Sequence, residues 1–188
     1  MAKVTYTNFD NNDRRLNEAQ KAFNEVRLLL GKANKALMDC VNGDPSQQQS
    51  QQSLYEKWFG QYNENNRTQV YGIIHNMLIQ LRDKSVTINH DGADCKARDY
   101  AYVDAPGGGL RDGVTIFLCN QFFAAPLYGK NSQVGIILHE ITHLVGNTED
   151  HKYGETECKR LAQENPNMAR NNADNYEFYI ESFKTTTR

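Results

Sequence analysis

A His-Glu-x-x-His motif lies inside an apolar segment of this chain. Residues 136–146 read Ile-Ile-Leu-His139-Glu140-Ile-Thr-His143-Leu-Val-Gly. Residues four apart lie on one face of a helix, so both imidazoles can bind one metal ion, and Glu140 projects beside them toward a water on that ion. Burying a His-Glu-His cluster among apolar side chains is costly unless the cluster binds something. The motif therefore predicts a metal-binding helix over 131–145.

A catalytic zinc site uses three protein ligands and keeps one position open for water. The segment that follows the motif contains three candidates for the third ligand, Glu149, Asp150 and His151. His151 is of a residue type that zinc favours. Gly146 and Glu149 fall where metzincins, with the pattern H-E-x-x-H-x-x-G-x-x-H, carry their glycine and last histidine. Spacing alone therefore leaves all three candidates open.

Hydrophobic spacing predicts an α+β fold that is mostly helical. Helices are predicted over 12–40, 53–62, 66–83, 131–145, 152–164 and 171–183. Short β-branched and aromatic runs predict a sheet of two or three strands, over 86–88, 100–103 and 114–118. The glutamine-rich segment 42–53 is interpreted as a polar loop. We expect one zincin-like domain over 1–188, with the small sheet beside the metal-binding helix.

Charge and length exclude several classes of protein. The chain has 21 basic and 23 acidic residues and a net charge of −2, whereas nucleic-acid-binding domains usually carry a basic excess. No apolar run approaches the roughly 20 residues of a membrane span. We therefore expect neither a nucleic-acid nor a membrane partner, and 188 residues are enough to bury a sizeable core.

The segment that follows the motif resembles the aspzincin zinc metalloendopeptidases, in particular their peptidyl-Lys branch. That branch carries a G-T-x-D segment followed by x-x-Tyr-Gly, and residues 148–154 read Thr-Glu-Asp150-His-Lys-Tyr153-Gly. Asn147 stands where the family has the first glycine. Further segments are similar and occur in the same order: Trp58–Gly60, Tyr100–Val103, Ile116–Cys119 and Asn172–Phe178. The resemblance thus covers most of the chain from about residue 55 onward.

The resemblance implies a zinc-dependent endopeptidase with one catalytic ion. It assigns the metal ligands to His139, His143 and Asp150. It gives Glu140 the role of general base toward a metal-activated water, and it gives Tyr153 the role of hydrogen-bond donor to the developing oxyanion.

The resemblance also implies the substrate. In the peptidyl-Lys branch, the segment that corresponds to 172–177 provides two acids that hold the substrate lysine, and Asp174 and Glu177 occupy those positions. Because these residues are three apart, their carboxylates share one helix face. We expect cleavage on the amino side of lysine in protein or peptide substrates, by a monomer.

The four cysteines and the setting follow from the same resemblance. Cys95 and Cys119 resemble bridged cysteines of the family, which predicts a disulfide between them. Cys40 and Cys158 have no such support, although they could pair if the first helix packed on the helix over 152–164. The family implies a secreted, extracellular protein whose leader is not part of this sequence; a toxin or effector exported by another route is the alternative.

Three other hypotheses remain open at this point. The chain could be a metzincin-like zinc peptidase with Glu149 as third ligand. It could be an inactive zinc-binding interaction domain in which Glu149 or His151 fills the fourth coordination position. It could also be an interaction module whose His-Glu-x-x-His motif is accidental.

Overall fold

A computed structural model of the chain describes residues 3–9, 14–103 and 114–184. These ranges contain eight helices, and no described helix is long and apolar enough to cross a membrane. The helices are α1 (Arg14–Asn42), α2 (Pro45–Phe59), α3 (Glu64–Asp83), α4 (Asn120–Ala124), α5 (Gln133–Gly146), α6 (Glu155–Glu164), α7 (Pro166–Ala169) and α8 (Ala173–Glu181). The predicted α+β, mostly helical class is confirmed.

The described sheet has four strands, one more than the largest number predicted. The strands are β1 (Val4–Thr7), β2 (Val86–His90), β3 (Ala101–Val103) and β4 (Val114–Leu118). Their order is β1-β2-β4-β3; β1 and β4 are both parallel to β2, and β3 is antiparallel to β4. The missed strand β1 is only four residues long, and it is fixed by parallel pairing with residues far along the chain, so no local alternation reveals it.

The predicted polar loop over 42–53 is wrong, because helix α2 begins at Pro45. Asp44 caps this helix: its side chain accepts the Gln47 N–H at 2.9 Å, and the Gln47 side chain accepts the Asp44 N–H at 3.0 Å. This reciprocal capping box, with a proline in the first turn, is a strong start signal, and glutamine is a good helix former. Low complexity was therefore a misleading guide to this segment.

Helix α5 lies at the centre of the fold. It packs against α1, α3 and α8 and contacts strand β3, so the sheet lies beside this helix as predicted. The inward apolar side chains of α5 belong to the main hydrophobic core, among them Ile137, Leu138 and Ile141, each fully buried. Burial of each such side chain stabilises the fold by about 1.5–3 kcal/mol, and this packing holds the His-Glu-x-x-His motif in place.

The predicted disulfide between Cys95 and Cys119 is confirmed. It joins the segment after β2 to the end of β4, with the two Cα atoms 5.5 Å apart. Cys40 and Cys158 are both free and buried, so the conditional pairing between them is wrong. Cys158 lies on α6, which packs against α2, α7 and α8, and its thiol points to the Lys152 carbonyl instead.

Candidate zinc centre

Helix α5 begins and ends with clear local signals. The Ser132 side chain caps its first turn by accepting the Gly135 N–H at 2.8 Å. At the other end Asn147 adopts the left-handed conformation, with φ 51° and ψ 38°. Asparagine tolerates this conformation better than most residues, so it can replace the family's glycine here. The chain therefore turns directly after the motif and brings residues 148–154 back toward it.

The structure brings His139, His143 and Asp150 together. The two Nε2 atoms are 3.0 Å apart, and Asp150 Oδ1 lies 3.1 Å from His139 Nε2 and 3.3 Å from His143 Nε2. Two nitrogens bound to one tetrahedral zinc at the usual bond length are about 3.3 Å apart. These three side chains form one of the two groups of described residues that could hold a metal ion.

The other ring nitrogens explain why this cluster fits a cation. His143 Nδ1–H donates to the Thr148 carbonyl at 2.7 Å, and His139 Nδ1–H donates to Asp174 Oδ1 at 2.8 Å. Both Nε2 atoms therefore face each other and Asp150, so that three potential ligand atoms converge on one point. Two imidazoles and one carboxylate are a ligand set suited to catalytic zinc.

Electrostatics of the metal-free cluster support the same conclusion. Burial opposes a charge on His139, but hydrogen bonds to Asp150 and Asp174 outweigh it and raise the pKa of this imidazole to about 10. The hydrogen bond from His139 in turn lowers the pKa of Asp150 to about 2. The cluster thus attracts a proton to the point where a metal ion would bind.

Glu140 and Tyr153 border a cavity of about 380 Å³ beside these ligands. Burial raises the pKa of the Glu140 carboxyl, although the two histidines lower it. Desolvation, together with a hydrogen bond to Asp150, raises the pKa of the Tyr153 hydroxyl to about 12, so it stays a proton donor at neutral pH. The cavity is therefore lined by one group suited to accept a proton and one suited to donate a hydrogen bond.

Asp174 and Glu177 line the same cavity from α8, and both are buried. Both oxygens of Asp174 are engaged: Oδ1 accepts the His139 Nδ1–H, and Oδ2 accepts the Gly154 N–H at 2.7 Å. Glu177 is different, because it makes no hydrogen bond to any residue in the described ranges, and burial raises its pKa well above the usual value. Asp174 therefore orients His139, whereas Glu177 is a buried acid that accepts no hydrogen bond in the described ranges and has the His139 Nδ1 atom 3.9 Å from its Oε2.

A comparison with models of protein families identifies the family to which the chain belongs. The aspzincin model, described as lysine-specific metallo-endopeptidase, matches residues 45–181. The chain belongs to the aspzincin family. The resemblance expected from the residues around the motif is confirmed.

Individual relatives agree with this membership. An extracellular protease of Aeromonas hydrophila is 33% identical over 132 residues, which are 68% of this chain and 35% of that protein. A peptidyl-Lys metalloendopeptidase of Armillaria mellea is 33% identical over 130 residues, which again are 68% of this chain and 35% of that protein. One from Pleurotus ostreatus is 31% identical over 138 residues, 71% of this chain and 76% of the relative. The chain thus spans about a third of the length of the first two curated relatives it matches.

A solved structure supports the aspzincin fold. A zinc peptidase from Grifola frondosa matches with a TM-score of 0.68 and 27% identity, over 88% of this chain and 91% of that one. The match therefore extends over most of both chains.

Asn172 supports this site, although no motif or spacing in the sequence predicts a role for it. Its side chain is fully buried; Oδ1 accepts the N–H groups of His151 and Lys152 at 2.8 and 2.9 Å, and Nδ2 donates to the Lys152 carbonyl at 2.9 Å. These bonds tie the start of α8 to the loop that carries Asp150. The only sequence signal was its place at the beginning of the family-like segment 172–178.

The other two candidate ligands lie outside the cluster. The Glu149 side chain is 66% exposed and lies 3.6 Å from His151 Nε2, so these two residues contact each other. Neither belongs to a group of described residues that could hold a metal ion. The geometry therefore favours Asp150 over Glu149 or His151 as the third aspzincin ligand.

Proposed function

We propose that this chain is a zinc-dependent metalloendopeptidase that hydrolyses peptide bonds on the amino side of lysine. Two histidine Nε2 atoms and Asp150 Oδ1 converge beside the half-buried Glu140 at an open cavity, and this observation carries the proposal. A purely structural metal site has no use for a general base at that position. The aspzincin relatives named as metalloendopeptidases support the same activity.

Each residue of the cluster has a place in the mechanism. His139, His143 and Asp150 would hold one zinc ion. When bound, that ion would polarise the scissile carbonyl of the substrate and lower the pKa of a water molecule. Glu140 accepts a proton from the attacking water and later returns it to the leaving amine, a role that suits a carboxyl whose pKa burial has raised. Tyr153 donates a hydrogen bond to the carbonyl oxygen as negative charge develops on it.

Lysine specificity is supported by the buried acids on α8. A lysine ammonium is a compact charge with three donors, and Glu177 is an acid that accepts no hydrogen bond within the described part of the chain. A substrate lysine would supply that donor, whereas an uncharged side chain would leave the buried acid unpaired. Arginine is longer and planar and needs a wider, forked partner. We propose that Asp174 and Glu177 together form the lysine pocket, with Glu177 as the acid still free to bind.

The proposal extends to the protein as a whole. We infer one metallopeptidase domain over 1–188 that acts as a monomer outside the cell. The Cys95–Cys119 disulfide suits an oxidising compartment, and the Aeromonas relative is named an extracellular protease.

A Glu140→Gln variant tests the proposed activity. The variant should bind one zinc per chain, as the wild type does, because the ligands are untouched, yet it should lose turnover by at least about a hundredfold because it lacks the general base. A denatured protein is digested, and the new N-termini are mapped by mass spectrometry; the wild type should produce N-terminal lysine.

Two controls make this test decisive. Chelation should abolish wild-type cleavage, and added zinc should restore it. Near-normal cleavage by Glu140→Gln would contradict the mechanism, and new N-termini without lysine enrichment would contradict the assigned specificity.

A further inference from the structure

Three buried acids on α8 face α5 along one side. They are Asp174, Glu177 and Glu181. The facing positions are His139 and Gly135 on α5 and Ser132, the residue that caps this helix. The first and last acids are each bound by their counterpart, since His139 donates to Asp174 and the Ser132 hydroxyl donates to Glu181. Only the middle acid of the three faces a position without a side chain.

The space beside Gly135 is filled by the Glu177 carboxylate. A Cβ at position 135 would lie 2.3 Å from Glu177 Oε1 and 2.8 Å from Glu177 Cδ, far inside ordinary contact distance. Glycine is a poor helix former, yet it occurs here in the first turn of α5. Two other helical glycines, Gly31 and Gly72, have nothing within 4 Å of the equivalent position. A steric constraint therefore requires glycine at position 135, and no such constraint acts at positions 31 and 72.

We propose that Gly135 is a specificity-determining position of this chain. Because it has no side chain, the Glu177 carboxylate can lie against α5 at the cavity wall without a hydrogen-bond partner, ready for a substrate cation. Any larger residue pushes this carboxylate away from its position, and a serine would in addition offer it a hydroxyl, as Ser132 does for Glu181. This inference rests on the lysine pocket proposed above.

Gly135→Ala is the direct test. The added methyl group should displace Glu177 and lower kcat/KM for a lysine peptide by about tenfold to a hundredfold, the loss expected for a misplaced charge-assisted contact. Zinc stoichiometry should not change, because no ligand is touched. The matched control is Gly72→Ala on α3, a helical glycine with open space around it, which should leave kcat/KM unchanged.

A second background separates the steric effect from a general disturbance of α5. In a Glu177→Ala protein the methyl group at position 135 meets no carboxylate, so adding Gly135→Ala should change the residual kcat/KM less than twofold. The effect of Gly135→Ala on the midpoint of thermal unfolding is measured in both backgrounds. If Gly135→Ala alone unfolds the protein, the double variant Gly135→Ala/Glu177→Ala should still fold.

The outcomes distinguish this inference from the proposed function. Equal losses of activity or of folding in both backgrounds would overturn the role of Gly135. Unchanged lysine cleavage by Gly135→Ala would also overturn it while leaving the lysine pocket intact. A wild-type enzyme that shows no lysine preference would instead contradict the proposed function itself.

Discussion

Replacing Asn172 with alanine tests whether α8 positions the third zinc ligand. The buried Asn172 side chain makes three hydrogen bonds to residues 151–152 and a fourth to Asn175, at 2.7 Å. At about 0.5–1.5 kcal/mol for each of these four bonds, their loss should lower the free energy of unfolding of the zinc-free protein by about 2–6 kcal/mol. The loosened loop carries Asp150, so zinc affinity should fall about tenfold to a hundredfold, as when supporting groups around metal ligands are removed.

The assay measures zinc affinity and stability separately. Zinc affinity is determined by competition with a chromophoric chelator, and the stability of the zinc-free protein by urea unfolding. Asn171→Ala is the matched control: its side chain has one long contact, 3.4 Å to His151, and its backbone carbonyl still accepts the Glu149 N–H after the substitution. Wild-type zinc affinity in Asn172→Ala, or equal losses in both variants, would refute the reasoning.

Two further predictions concern the acids on α8 and the disulfide. Glu177→Gln should lower kcat/KM for lysine peptides by an amount equivalent to about 1–3 kcal/mol of activation free energy, at unchanged zinc content. Asp174→Asn should in addition weaken zinc binding about tenfold or more, because an amide oxygen cannot accept both the His139 N–H and the Gly154 N–H as the carboxylate does. Zinc titration together with peptide kinetics separates the two effects, and unchanged zinc affinity in Asp174→Asn would contradict the supporting role of Asp174. Replacing Cys95 and Cys119 with serine should lower the free energy of unfolding by about 3 kcal/mol, since the disulfide closes a loop of 24 residues; urea unfolding measures this, and a change below about 1 kcal/mol would contradict it.

Features that depend on neighbouring residues along the chain were predictable from the sequence. Helix α5 follows from apolar spacing, and the separation of His139 and His143 places both rings on one face wherever the helix packs. The disulfide and the family followed from motifs that resemble known relatives. The error over 42–53 also arose locally, because composition was weighed above the capping box that Asp44 and Gln47 provide.

Only the tertiary structure brings Asp150, rather than Glu149 or His151, beside the two histidines. Spacing left Glu149, Asp150 and His151 open, because a loop has no periodicity that fixes which side chain points toward the motif. In the fold, Asn172 at the start of α8 holds the backbone directly after Asp150, although it lies more than twenty residues away in sequence. Strand β1 was missed for the same reason, since its partner β2 lies some eighty residues along the chain. The sequence alone determined which groups could bind zinc, and long-range packing determined which of them meet, because hydrogen bonds between distant segments leave no pattern in either segment.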